Sequence, residues 1–125
     1  GSITRVKIIG VIPMIDSDET DWKILAVAMD DDRAANIQDL NDLDAHMPGV
    51  TQALTDWLRK YKTAEGKGEN KFGCGGKTMG AAFARKCVEE THEFWRRMLA
   101  EASSKGSMKK IASGNALSTM LTVDS

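Results

Sequence analysis

The sequence is poor in the residues that most quickly betray a function. It has two cysteines, Cys74 and Cys87, two prolines and one tyrosine. Two cysteines without a Cys-x-x-Cys pairing cannot build a disulfide framework, and neither histidine stands at zinc-ligand spacing from them. Such sparing use of cysteine suits a reducing compartment, and the cytoplasm is the expected location. An excess of one charge is also missing. Seventeen Lys+Arg face eighteen Asp+Glu, for a formal net charge of -1. That balance excludes a nucleic-acid binder working through bulk positive charge. There is no long hydrophobic run. The longest, Ile8 to Ile15, is interrupted by Gly10 and Pro13. It falls far short of the roughly 20 apolar residues that span a bilayer, so no membrane partner is expected. What remains is 125 residues, 42% hydrophobic and 28% charged. That composition fits one folded domain at most and is too apolar for a disordered chain.

The first third reads as strands. Ile3 to Ile12 is β-branched and largely apolar, and Pro13 closes it or sets it near a sheet edge. A second strand spans Asp21 to Met29, with the acidic turn Asp16-Ser17-Asp18-Glu19-Thr20 between the two. The pair predicts a hairpin. Past Asp30-Asp31-Asp32 the periodicity becomes helical. Asp39 to His46 is a short helix, and Pro48 suits the first turn of the next. In that helix Val50, Leu54, Trp57, Leu58 and Tyr61 recur at helical spacing. Thr63 to Gly76 is glycine-rich, has no period and reads as a loop. A third helix covers Thr78 to Ala102, with Met79, Phe83, Cys87, Thr91, Phe94, Trp95 and Met98 as its packing stripe. From Ser103 onward serine, lysine and glycine dominate. The division is therefore a folded part, 1–102, and a flexible tail, 103–125.

Two tempting motifs fail. Gly73-Cys74-Gly75-Gly76-Lys77-Thr78 resembles the end of a phosphate-binding P-loop, but Lys71 stands where the first glycine belongs. The acidic turn hints at a calcium loop, yet Asp21 and Val27 occupy the positions that need glycine and glutamate. Acidic turns are most often solvated hairpin tips. What lifts this one is the strand after it. Residues two apart share a face, so Asp21 and Lys23 point the same way as Leu25 and Val27. An acid and a base heading an apolar face are costly to bury unless paired or bound to a metal. Carboxylate oxygens suit hard cations such as Mg2+.

Several segments taken together resemble a known family. Met14-Ile15-Asp16, Glu19-Thr20-Asp21-Trp22-Lys23, Tyr61-Lys62 and Gly66-Lys67-Gly68-Glu69-Asn70-Lys71-Phe72 stand in the order and spacing of the soluble inorganic pyrophosphatases of eukaryotic type. Thr91-His92-Glu93-Phe94-Trp95 is similar to that family's final helix. The likeness runs from about Ser2 to Ala100. It implies an α+β fold, part of a small closed β-barrel of OB type with flanking α-helices. It implies an enzyme that hydrolyses pyrophosphate to two phosphates with Mg2+. It implies that Asp16 and Asp21 bind metal, and that Lys23, Tyr61 and Lys62 hold phosphate oxygens. It further implies assembly into homo-oligomers. A protozoan form of the family in an acidocalcisome or acidic vacuole is the alternative to a cytoplasmic location.

The chain departs from the family pattern in two places. Where eukaryotic members read Asp-Glu-Gly-Glu-Thr-Asp, this sequence has Asp16-Ser17-Asp18-Glu19-Thr20-Asp21. Ser17 removes a carboxylate beside the first metal aspartate, and Asp18 replaces a glycine. The segment carrying the family's three-aspartate signature has no counterpart here, so the expectation is a C-terminal half that alone hydrolyses little or no pyrophosphate. The competing expectation, of a different class, is a non-catalytic interaction module that binds a partner through the third helix.

Overall fold

In the computed structural model, which describes residues 1–104 and 121–122, the first strand starts three residues later and ends four residues later than the expected Ile3 to Ile12. β1 runs Val6–Asp16, straight through Pro13, and pairs antiparallel with β2, Glu19–Ala28. Proline is tolerated because of where its edge points. A residue's N–H and C=O lie on the same side of an antiparallel strand. The Pro13 carbonyl accepts from the Gly73 N–H at 2.8 Å, so the N–H that proline lacks would have faced away from β2. The turn is the two residues Ser17 and Asp18, both left-handed at φ 52° and 64°. Positive φ at both centres matches the right-handed twist of a tight hairpin.

Two short helices follow, α1 (Leu40–His46) and α2 (Val50–Lys60). Asp39 caps α1 from a capping box with Asp42. The second helix begins later than expected. Gly49 is its N-cap, so Pro48 precedes the helix and does not enter its first turn. The glycine-rich segment is partly ordered by β1. β3 (Lys71–Phe72) pairs with Ile15 and Met14, and β4 (Met79–Gly80) pairs with Val11 and Gly10. α3 then spans Ala81–Ser104, starting three residues after the expected Thr78 because Met79 is drawn into the sheet.

The sheet order is β3-β1-β2-β5, with β4 also on β1 and the two-residue β5 (Leu121–Thr122) parallel to β2. Among the described residues this sheet is open, so the chain carries part of the expected barrel and not its closure. The bulk of the expected tail, residues 105–120 and 123–125, lies outside the described residues, and α3 continues two residues past the expected boundary at 102.

A register shift between Ile8 and Gly10 decides which side chains face which helix. In an unbroken strand Ile9 and Ile12 would lie on opposite faces. The extra residue restores them to one face. There Ile9, Ile12, Met14, Leu25 and Val27 pack with Ile37, Leu43 and Leu58. The other face, with Val11 and Ile24, meets Ala84 and Cys87 of α3.

This corrects the packing stripe expected for the third helix. The buried positions are Ala81, Ala84, Cys87 and Ala102, whereas Phe83, Phe94 and Trp95 are exposed. Small side chains at i, i+3 and i+6 let the helix lie close to the sheet. Gly10 shows how close that region is, since a Cβ there would stand 2.7 Å from the Met79 carbonyl oxygen. Asp39 ties the helices together: its Oδ1 accepts from the Leu40 N–H at 2.8 Å and the Ala81 N–H at 2.9 Å.

Candidate active site

The residues singled out in the sequence come from the hairpin tip and the end of α2. Asp16 ends β1, while Asp21 and Lys23 lie two residues apart on β2. The register pairs Asp16 with Glu19, Met14 with Asp21 and Ile12 with Lys23. Directly opposed residues share a face of the sheet, so Asp16, Asp21 and Lys23 share theirs with Met14 and Ile12. This is the core face, and the polar residues are its outer continuation. Asp16 and Asp21 are diagonal neighbours, about 7–8 Å apart between backbones in such a ladder.

The expected pairing of Asp21 with Lys23 is present. The Lys23 Nζ stands 2.8 Å from Asp21 Oδ2, and its side chain is 10% exposed. No buried polar side-chain atom among the described residues lacks a hydrogen-bond partner. The apolar face thus carries an acid and a base at a tolerable cost, because each neutralises the other.

The second cluster approaches from α2. Tyr61 and Lys62 follow the helix directly, and the Tyr61 N–H still bonds the Trp57 carbonyl at 2.9 Å. The Lys62 Nζ reaches Asp16 Oδ2 at 2.6 Å. The lysine's hydrogen bond holds the Asp16 carboxyl below the usual carboxylate range, helped by the Ser17 hydroxyl, which donates to Asp16 Oδ1 at 3.2 Å. The same bond to Asp16 raises the Lys62 ammonium above its ordinary value. Tyr61 stacks on Trp57, with ring centroids 5.1 Å apart and planes inclined by 21°, and the Lys62 Nζ lies 5.7 Å from the Tyr61 ring centre. The structure therefore joins Asp16 to Lys62 and Asp21 to Lys23, with Tyr61 beside Lys62.

Sequence reasoning passed over two participants. Trp57 shares the helical spacing of the apolar residues of α2, yet it is 55% exposed and its ring stacks on Tyr61. Asn70 was assigned nothing, although it binds two carbonyls at the end of α2. One signal was available for Asn70. A helix ends with four carbonyls in need of donors, and an amide side chain in the loop after it is a natural supplier.

The expected metal-binding residues at the hairpin tip are two aspartates, Asp16 and Asp21. Among the described residues no group of three or more His, Cys, Asp and Glu is gathered as a metal cage. Oxygen donors of this number do fit Mg2+, which commonly takes one or two carboxylates and completes its shell with water and substrate phosphate. No helix among the described residues is long and apolar enough to cross a membrane.

Comparison with known proteins identifies the family. The model of the family described as inorganic pyrophosphatase matches residues 1–96. The inorganic pyrophosphatase of Bos taurus is 42% identical over 99 residues, covering 79% of this chain and 34% of that protein. The vacuolar soluble pyrophosphatase of Trypanosoma cruzi, solved in apo form, overlays with a TM-score of 0.82 at 30% identity, over 85% of this chain and 28% of that one. Its N-terminal-domain-truncated form, solved in complex with PPi, overlays with a TM-score of 0.78 at 32% identity, over 80% and 38%. The chain spans about a third of the length of the curated relatives it matches. Sequence match and fold agree over the residues that build the hairpin, α2 and α3, and the chain belongs to the inorganic pyrophosphatase family.

Proposed function

We propose that the protein to which this chain belongs hydrolyses inorganic pyrophosphate to two phosphates, and that this chain supplies one wall of the site. The observation that carries the proposal is the contact of Lys62 with Asp16. It brings two segments distant in sequence, both matching the family pattern, to one point beside Asp21 and Lys23.

Pyrophosphate is a dense polyanion, and attack on it by water or hydroxide is opposed by its charge. Lys23 and Lys62 are fixed point charges for its outer oxygens. Tyr61 adds a neutral hydroxyl donor, with its ring held by Trp57. Asp16 and Asp21 are the residues to hold Mg2+. When bound, the ion would neutralise phosphate charge and make a coordinated water more acidic. The Lys23 side chain stands nearly buried at the inner end of the site.

The Trypanosoma cruzi relative solved with PPi supports this choice of substrate. The family match disfavours the interaction-module reading, which has only the exposed aromatics of α3 behind it. A cytoplasmic protein is the first expectation for location. The vacuolar name of the Trypanosoma cruzi relative favours an acidic vacuole as the second. Copies of the protein are expected to associate, which sedimentation would read directly.

The test is calorimetric titration of the chain with pyrophosphate in the presence of Mg2+, alongside a phosphate-release assay. Metal-dependent binding with little turnover by the 125 residues alone is expected. No binding at millimolar pyrophosphate, or binding unaffected by Asp21→Ala and Lys62→Ala, would refute it.

A further inference from the structure

The last α-helical bond of α2 runs from the Tyr61 N–H to Trp57 O at 2.9 Å, which leaves three carbonyls of the helix, Leu58 to Lys60, without a helical donor. Each has another donor. Lys60 O takes the Thr63 hydroxyl at 2.7 Å. The other two are both served by Asn70. Its Nδ2 donates to Leu58 O at 2.7 Å and its backbone N–H donates to Arg59 O at 2.9 Å. One residue, twelve positions downstream of Leu58, thus closes two of the three.

The chain on the other side of Asn70 is fixed to the hairpin. Lys71 pairs with Ile15 and Phe72 with Met14, the two residues just before Asp16. The Gly73 N–H then bonds Pro13 O at 2.8 Å. Phe72 packs against the core and carries the Arg59 guanidinium over its ring at 4.9 Å from the centre. Residues 70–73 therefore form a short strap, with one end on the helix turn that leads into Tyr61 and Lys62 and the other on the strand end that leads into Asp16.

We infer that Asn70 is a positioning residue: it sets the end of α2 against β1 so that Lys62 meets Asp16 and Tyr61 lies beside it. The inference rests on the proposed roles of Tyr61 and Lys62 in binding pyrophosphate. Asn70 touches no substrate in this scheme and acts only through those two side chains. A helix end closed by water instead would leave Lys62, on its long flexible stem, to find Asp16 at an entropic cost.

Asn70→Asp is the informative variant, because it keeps the shape and the backbone bond but replaces the Nδ2 donor with an acceptor facing Leu58 O. Two readouts are taken on the folded chain. The first is the nuclear Overhauser contact between the Lys62 side chain and Asp16, which should be lost in Asn70→Asp while contacts within the α3–sheet core persist. The second is affinity for pyrophosphate with Mg2+, which should fall about two- to tenfold, the size of one hydrogen bond lost at a helix end. In a Lys62→Ala background that fall should shrink towards none, since the residue being positioned is gone.

A purely structural role would lower stability in both backgrounds alike and leave the Lys62–Asp16 contact in place. That outcome overturns the inference. If Lys62→Ala alone does not alter pyrophosphate affinity, the proposed function fails, and the Overhauser contact still decides the role of Asn70. Should Asn70→Asp not fold, Asn70→Gln carries the test. It keeps the donor but displaces it by one methylene, so the Lys62–Asp16 contact must weaken, and a contact of native intensity refutes the positioning role.

Discussion

The two halves of the Lys23–Asp21 pair should respond to substitution with opposite signs. The Lys23 side chain is 10% exposed, whereas that of Asp21 is 30% exposed. The pair is thus lopsided, with the cation nearly dry and the anion half wet. Removing the cation by Lys23→Met keeps an unbranched stem on the core face and leaves Asp21 to be hydrated where it stands. The ion pair lost is worth at most about 1 kcal/mol at such exposure. The ammonium no longer needs to be desolvated, which by itself costs several kcal/mol before compensation. The expected net effect is between neutral and about 2 kcal/mol stabilising. Removing the anion by Asp21→Asn strands the ammonium where water barely reaches. The cost of breaking fully buried pairs is about 3–5 kcal/mol. With the residual exposure of Lys23 and the nearby Asp16 charge, about 1–3 kcal/mol is expected here.

Urea unfolding at neutral pH reads both numbers, with a difference of roughly 1 M or more between the two midpoints and no change in slope. Calorimetry with pyrophosphate and Mg2+ supplies the functional half. Lys23→Met should bind at least tenfold more weakly while being no less stable, the pattern of a residue kept for chemistry at some expense of stability. If Lys23→Met destabilises the chain as much as Asp21→Asn does, the desolvation argument is wrong. If it also binds pyrophosphate normally, Lys23 has no place in the site.

Two further outcomes follow from the backbone. Asp39→Ala removes the cap of α1 and leaves the buried Ala81 N–H without its acceptor, for a combined loss of about 2–4 kcal/mol, whereas Asp39→Asn retains an oxygen and should lose about 1; thermal unfolding of both variants decides this. The N–H groups of Ala81 and Leu40 hold the Asp39 carboxyl below its ordinary 3.8, so its stabilisation is complete above that pH and is lost as the pH falls through the lower folded value. An acid-unfolding curve should accordingly fall less steeply below about pH 4 in Asp39→Asn than in the native chain. In the hairpin turn, Asp18 at φ 64° should rank between Asp18→Gly and Asp18→Ala, with about 1 kcal/mol between the extremes in thermal stability. Equal stability of Asp18→Gly and Asp18→Ala would mean that the turn relaxes.

Alternation and spacing made the hairpin, the three helices and the shared face of Asp21 and Lys23 legible in advance. They work where neighbours in sequence decide the outcome. Three things were settled instead by contacts distant along the chain. Pro13 stays inside β1 because Gly73 comes to meet its carbonyl. The face of α3 is chosen by Ala81, Ala84 and Cys87, because the sheet rewards close approach over the larger apolar area of Phe94 and Trp95. Asn70 was invisible as a functional residue because its partners, Leu58 and Arg59, lie across a glycine-rich turn without periodicity. The site residues themselves were named by resemblance to a family, and the structure adds which of them touch.

That pairing has a consequence for how the site binds its ligands. Each proposed metal-binding aspartate is held by a proposed phosphate-binding lysine, Asp16 by Lys62 and Asp21 by Lys23. A cation arriving alone must displace lysines from the carboxylates. A polyanion arriving alone must draw the lysines away and leave the carboxylates facing it. When both arrive, every group released by one ligand is taken up by the other, so the two should bind with positive coupling. Thermodynamic linkage requires the enhancement to be the same in either order. Orthophosphate is the better probe anion, because it complexes magnesium only weakly in solution. Its affinity for the chain, measured across a magnesium series, should rise at least about fivefold, and magnesium affinity should rise by the same factor in saturating phosphate. Lys23→Met together with Lys62→Ala frees both carboxylates beforehand. That variant should bind magnesium more tightly than the native chain and lose most of the coupling. Equal coupling in the native chain and the double variant would show that the lysine–aspartate pairs do not exchange partners on binding.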